Sequence, residues 1–235
     1  MAAMAFDPDQ LQIVLYPDPV LRRRARPIER IDTLVRRVAH RMLELMHAAP
    51  GVGLAAPQVG LPWRMFVASP TTQTEDDTVF INPRVVAASR AVADVDEGCL
   101  SLPDVTVNVR RPLAVRIEAI GLDGRPFTLE GRDLIARIWQ HELDHLNGVL
   151  IIDRAPPGDR LANQRILREM EQAFRPASAA TAPPPPSRES AASSAAGISP
   201  GTEAEPTPGQ GSMTRGTGQQ GTGHPTGGGG AGELR

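Results

Sequence analysis

The chain has a single cysteine, Cys99, and a single tyrosine, and aromatic residues make up only 3% of its 235 residues. One cysteine cannot close an internal disulfide or build a four-thiolate metal site. Such sparing use suits a compartment that keeps thiols reduced, and the bacterial cytoplasm is the expected setting. No apolar run approaches the roughly 20 residues needed to cross a bilayer, so no membrane partner is expected. Residues 1–8 lack a basic stretch followed by an apolar one, so they do not read as a secretory signal. A strong excess of charge is also missing. The net charge of −2 makes the whole molecule no electrostatic trap for nucleic acid, and no specific nucleic-acid partner is expected. Trp63 and Trp139 are not interleaved with basic groups and read as core residues rather than stacking platforms.

Proline and glycine are plentiful but unevenly spread. Residues 183–186 are four consecutive prolines, and residues 227–230 are four consecutive glycines. Beyond about residue 176 almost no large apolar side chain remains to offset the entropy of ordering the backbone. The chain therefore divides into a folded domain over residues 1–175 and a disordered tail, rich in Pro, Gly, Ser and Ala, over residues 176–235. His224 and Met213 lie in that tail and are not site residues.

Within the folded part, Ile31, Leu34, Val35, Val38, Met42, Leu45 and Met46 recur at the spacing of one buried helix face. They predict a helix over residues 32–47, with Asp32 as N-cap and Pro50-Gly51 as its stop. Short strands are expected at residues 65–68 and at 79–82, the latter closed by Pro83. Val105, Val107 and Val109 alternate with polar residues, as do Val115, Ile117 and Ala119. The second run enters the turn signal Asp123-Gly124, and residues 127–130 return from it. A second helix is predicted over residues 132–147 with Gly148 as a left-handed cap, and a third over 159–174. These are antiparallel-sheet signals rather than βαβ units.

The second helix contains His141-Glu142-Leu143-Asp144-His145, an H-E-x-x-H pentapeptide. Residues four apart share a helix face, so His141 and His145 can offer imidazoles to one metal ion. Glu142 is turned about 100° from His141 and stands beside such an ion, where a carboxylate suits a proton carrier for an activated water. Leu134 and Ile138 continue the histidine stripe as an apolar face. A catalytic ion of this kind needs a third ligand and an open position. The sole thiol, in Glu97-Gly98-Cys99-Leu100-Ser101, is the candidate, and an antiparallel return can bring Arg110 or Arg111 to Glu97. A third segment, Gly51 to Gln58, has glycines and alanines that let another chain approach, and it offers the Gln58 amide to a developing oxyanion.

Together, Gly51 to Gln58, Glu97 to Ser101 and Gln140 to Gly148 resemble the three motifs of the peptide deformylase family, G-x-G-x-A-A-x-Q, E-G-C-x-S and Q-H-E-x-D-H-x-x-G, in order. The resemblance implies an α+β fold in which a central H-E-x-x-H helix packs against antiparallel strands, flanked by N- and C-terminal helices. It implies a hydrolase that removes the formyl group from the N-terminal methionine of new polypeptides, with broad tolerance at later positions. Carried over to this chain, Cys99, His141 and His145 bind the metal, and Glu142 is the general acid/base. Gln58 and the Leu100 backbone N–H hold the oxyanion. Gly53 hydrogen-bonds the substrate backbone, and Leu134 and Ile138 line the methionine pocket. Arg137 has no evident place in the site. The family implies Fe²⁺, one ion per chain, and the ligand set also suits Zn²⁺, Ni²⁺ or Co²⁺. A formyl-methionyl nascent polypeptide is the expected partner and a monomer the expected state. The basic run Arg22, Arg23, Arg24 and Arg26 allows a transient ribosome contact. The rival reading is an H-E-x-x-H protease whose third ligand lies downstream, with Glu169 as its candidate.

Overall fold

In the computed structural model, which describes residues 6–175 and 183–187, the first helix starts where its cap predicts. Helix α1, Thr33–Ala48, follows Asp32, whose carboxylate accepts the Val35 N–H at 3.1 Å. Such a cap stabilises a helix by about 1 kcal/mol. Val35, Val38, Ala39, Met42 and Met46 form its buried face.

Strands β1 (Gly53–Ala55), β2 (Met65–Ala68), β3 (Thr78–Ala88), β6 (Ala114–Ile120) and β7 (Pro126–Arg132) form one antiparallel sheet in the order β1-β2-β3-β6-β7. Strands β4 (Val92–Cys99) and β5 (Leu102–Pro112) pair as a separate hairpin. Gly124, at φ 80°, turns β6 into β7 as the Asp123-Gly124 signal predicts. Strand β3 does not stop at Pro83. Its register slips between Ile81 and Arg84, so Pro83 sits in an irregularity where the ladder does not need its missing N–H.

Helix α2, Asp133–Leu146, carries the H-E-x-x-H segment and packs against β1, β2, β5, β6 and β7. Ala136, Ile138, Trp139, Leu143 and Leu146 join Phe66, Phe80 and Ile117 in one buried cluster, with Phe66 and Phe80 stacked at 4.4 Å. Each such buried side chain contributes about 1.5–3 kcal/mol of transfer free energy. Gly148 ends α2 at φ 74°, and its N–H donates to the His145 carbonyl at 3.1 Å. A Cβ there would come within 2.4 Å of the Arg22 carbonyl oxygen, so the closing glycine of the motif meets both a dihedral and a steric requirement.

After α2 come α3 (Ile151–Arg154), α4 (Pro157–Ala162) and α5 (Gln164–Ala173). The single helix expected over residues 159–174 is thus two, broken at Asn163. The Asn163 side-chain amide donates to the carbonyls of Thr106 and Asp159, both at 2.9 Å, a local bonding mode that competes with helix continuation. Ile166, Leu167 and Met170 of α5 pack against a buried cluster that includes Leu21, Leu150 and the β5 valines Val105, Val107 and Val109. Among the described residues no helix is long and apolar enough to cross a membrane.

Residues 183–187 belong to the stretch expected to be disordered, yet they lie against the domain, with Pro186 buried. The expectation for residues 176–182 and 188–235 lies outside the described residues.

Candidate metal centre

Cys99 ends β4, and the register slip between Glu97 and Cys99 turns its side chain away from the ladder toward α2. There its sulfur lies 3.3 Å from His145 Nε2. The ring centroids of His141 and His145 are 5.0 Å apart, one turn apart on the helix. One donor atom each from Cys99, His141 and His145 lies within 4.8 Å of the others. A thiolate and two imidazoles at this separation can close on one divalent ion and leave a position open.

Glu97 organises the surroundings. Its carboxylate accepts from Arg111 Nε at 2.6 Å and Nη2 at 2.8 Å, from Arg137 Nη1 at 2.6 Å, and from His141 Nδ1 at 3.0 Å. The last bond leaves His141 Nε2 to face an ion, the usual arrangement for a ligating histidine. Arg111 Nη1 also donates to Asp144 at 2.8 Å, and Asp144 in turn pairs with Arg154. Burial pushes the Glu97 carboxyl up, but the hydrogen bonds from Arg111 and His141 outweigh it and hold it at about 2. Burial likewise opposes charge on His141, yet its bonds to Cys99 and Glu97 raise it to about 10. Burial, then the neighbouring charges of His141 and Arg111, drive His145 well below the ordinary histidine value. One imidazole is thus drawn toward holding a positive charge and the other is kept neutral.

Glu142 is buried and reaches β1 from the helix. A Cβ on Gly53 would lie 2.4 Å from Glu142 Oε1, so the glycine makes room for the carboxylate. Glu142 Oε2 makes no hydrogen bond among the described residues. Burial raises Glu142 to about 7 against the opposing charges of His141 and Arg111. Gln58 is also buried. Its Oε1 accepts the Ala55 N–H at 2.8 Å, which turns Nε2 toward Cys99 Sγ at 3.6 Å and Ser101 Oγ at 3.4 Å.

These groups line a cavity of about 410 Å³ that also contains Gly53, Leu100, Leu134 and Ile138. Every sequence-predicted site residue except His145 borders that cavity, and His145 sits behind it as a buried member of the triad. Leu134 is largely exposed at the rim and Ile138 is buried. Arg111, not Arg110, reaches Glu97; Arg110 lies on the outer face near Asp94. Arg137, which the sequence did not place, donates to Glu97 and to the carbonyls of Val109 and Ala93. Its only prior signal was an arginine on the same helix as the histidines. Glu169 is paired with Arg165 on the exposed side of α5, so the protease reading lacks its third ligand.

Residues 10–161 match the sequence model of the polypeptide deformylase family. The peptide deformylase of Agrobacterium fabrum is 42% identical over 165 residues, 69% of this chain and 95% of that protein. The peptide deformylase of Acinetobacter baumannii is 41% identical over 165 residues, covering 70% and 92%. Among solved structures, a peptide deformylase from Legionella pneumophila superposes with a TM-score of 0.66 at 35% identity, covering 71% of this chain and 99% of that one. A peptide deformylase from Thermotoga maritima does so at 0.60 and 39% identity, covering 63% and 98%.

Proposed function

Given that the chain belongs to the polypeptide deformylase family, we propose that Cys99, His141 and His145 hold its catalytic ion and that Glu142 moves the proton in the reaction. The reaction itself is that of the family: hydrolysis of the N-formyl group from the N-terminal methionine of new polypeptides. The observation that carries the assignment is one donor set, within 4.8 Å, beside a buried carboxylate oxygen that no group among the described residues satisfies.

A divalent ion bound by this triad supplies Lewis acidity and lowers the pKa of a water toward neutrality. Glu142 takes a proton from the attacking water and delivers it to the leaving amine, a role that a carboxyl held near 7 suits. Gln58 Nε2 and the Leu100 backbone N–H donate to the formyl oxygen as it gains charge, each such bond contributing about 3 kcal/mol. Gly53 offers its backbone to the extended peptide, while Leu134 and Ile138 accept the methionine side chain. Glu97, gripped by Arg111 and Arg137, fixes the ring of His141.

The resident ion is Fe²⁺, with Zn²⁺, Ni²⁺ and Co²⁺ as substitutes that the same ligands accept. The enzyme is a cytoplasmic monomer whose catalytic domain spans residues 1–175, and the basic residues Arg22, Arg23, Arg24 and Arg26 are available for a transient ribosome contact. The direct test is formate release from formyl-Met-Ala after anaerobic purification. Activity should disappear on chelation and return with Fe²⁺ or Ni²⁺. Release that survives complete removal of metal would overturn the assignment.

Gly53→Ala tests the fit around Glu142. The added Cβ must displace the whole carboxylate, because it would also lie 2.9 Å from its Cδ. Turnover should fall about 10²-fold with metal content and thermal unfolding near parental, since small misplacement of a catalytic group is costly. Parental turnover in that variant would show that Gly53 does not set the position of Glu142.

A further inference from the structure

Residues 183–186 form no helix or strand, but proline chemistry restricts them. Each ring holds φ near −65°, and each proline pushes the residue before it toward extended ψ, so consecutive prolines adopt a polyproline II helix. That helix has three residues per turn, so the carbonyls of Pro183 and Pro186 point to the same side. Both are used. The Trp63 indole Nε1–H donates to the Pro183 carbonyl at 2.9 Å, and the Glu29 backbone N–H donates to the Pro186 carbonyl at 3.2 Å. Pro186 is buried, and Trp63 is fully buried with Phe6 beside it at 6.5 Å between ring centroids.

The receiving surface is rigid. Arg26 pairs with Trp63 as an isolated parallel bridge, and the Ile28 N–H and carbonyl are both bonded to the Asn82 side chain, at 2.9 and 2.7 Å. These bonds set the Trp63 and Glu29 donors one polyproline turn apart. An indole N–H beside aromatic rings, with a second backbone donor one turn along, is a general way to read proline-rich segments. Neither Trp63 nor Glu29 lines the catalytic cavity.

We propose that the surface formed by Trp63, Phe6 and the Glu29 backbone N–H is a polyproline II recognition site, and that residues 183–186 of the same chain are its resident ligand. The site anchors the tail to the domain at one point, after the seven residues 176–182. Because the ligand is tethered, its local concentration is roughly millimolar, and weak intrinsic affinity is enough to keep the site filled.

The test uses the full chain with Pro183, Pro184, Pro185 and Pro186 all changed to Ser, alterations confined to the tail. The chain has two tryptophans, and a Trp139→Phe variant identifies which indole N–H resonance belongs to Trp63. In the four-serine variant the Trp63 resonance should move from its parental position, while formate release stays parental. A synthetic peptide with the sequence of residues 181–187 should return the resonance to the parental position, saturating in the millimolar range, and its four-serine counterpart should not. An unmoved Trp63 resonance in the variant overturns the anchoring. A moved resonance that the proline peptide fails to restore, or that both peptides restore alike, overturns polyproline recognition.

Discussion

Glu142→Ala should keep metal and fold while turnover of formyl-Met-Ala falls by about 10²–10⁴-fold, the range attributed to a positioned general acid/base. The residue supplies no ligand to the triad, and its Oε2 has no hydrogen-bond partner among the described residues, so the fold loses little by its removal. Metal content by elemental analysis and far-UV circular dichroism should match the parent. Glu142→Gln should be nearly as inactive, because it keeps the shape and removes the exchangeable proton. It also exposes a linkage effect in metal-stripped protein. The folded Glu142 carboxyl is raised from 4.5 to about 7, so between those values the folded state binds more protons than the unfolded one. Its contribution to stability is therefore lost as pH rises through that window. The Gln variant should gain stability relative to the parent between pH 5 and 8, read by urea unfolding at each pH. A variant that retained parental turnover would remove Glu142 from the mechanism.

The largest loss of stability is expected for Arg111→Met. Arg111 is buried between Glu97 and Asp144 and donates to both. Removing it leaves two buried carboxylates facing each other across a shortened network, with Arg137 and Arg154 as remaining partners. Breaking one partner from a buried ionic network costs about 3–5 kcal/mol. The second consequence is functional. With Glu97 less well held, His141 loses its fixed orientation, and metal affinity should fall about 10–100-fold, as for other supports of metal ligands. Guanidinium unfolding and competitive metal titration measure the two effects separately. Arg111→Met combined with Glu97→Gln should recover part of the stability, because the stranded charge is gone, but not the metal affinity. Parental metal affinity in the single variant would mean that Arg137 alone is enough to hold Glu97 against His141.

The Cys99, His141 and His145 cluster was legible because part of its geometry is local. His141 and His145 are one helical turn apart, and only one thiol was present to complete the set. The first helix was legible for the same reason, through its cap and its apolar period. Strand β4 was not. Its segment from Val92 to Cys99 holds Asp94, Asp96 and Glu97, residues disfavoured in strands, and it is a strand because β5 pairs with it. The break at Asn163 and the continuation of β3 through Pro83 were hidden likewise, since each depends on a partner elsewhere in the chain. Arg137 has no evident place in the sequence because its partner Glu97 lies 40 positions away.

What the sequence determined by itself was the chemistry on offer: one thiol, and two imidazoles and a carboxylate at spacings that helix geometry makes productive. Only the tertiary structure decided how that chemistry is held. Glu97 became a buried hub for two arginines and His141, Gly53 became the gap that admits Glu142, and the Pro183 carbonyl gained a tryptophan N–H. Contacts within a helical turn follow from short-range dihedrals, whereas these join segments brought together only when the sheet and α2 close on a common core.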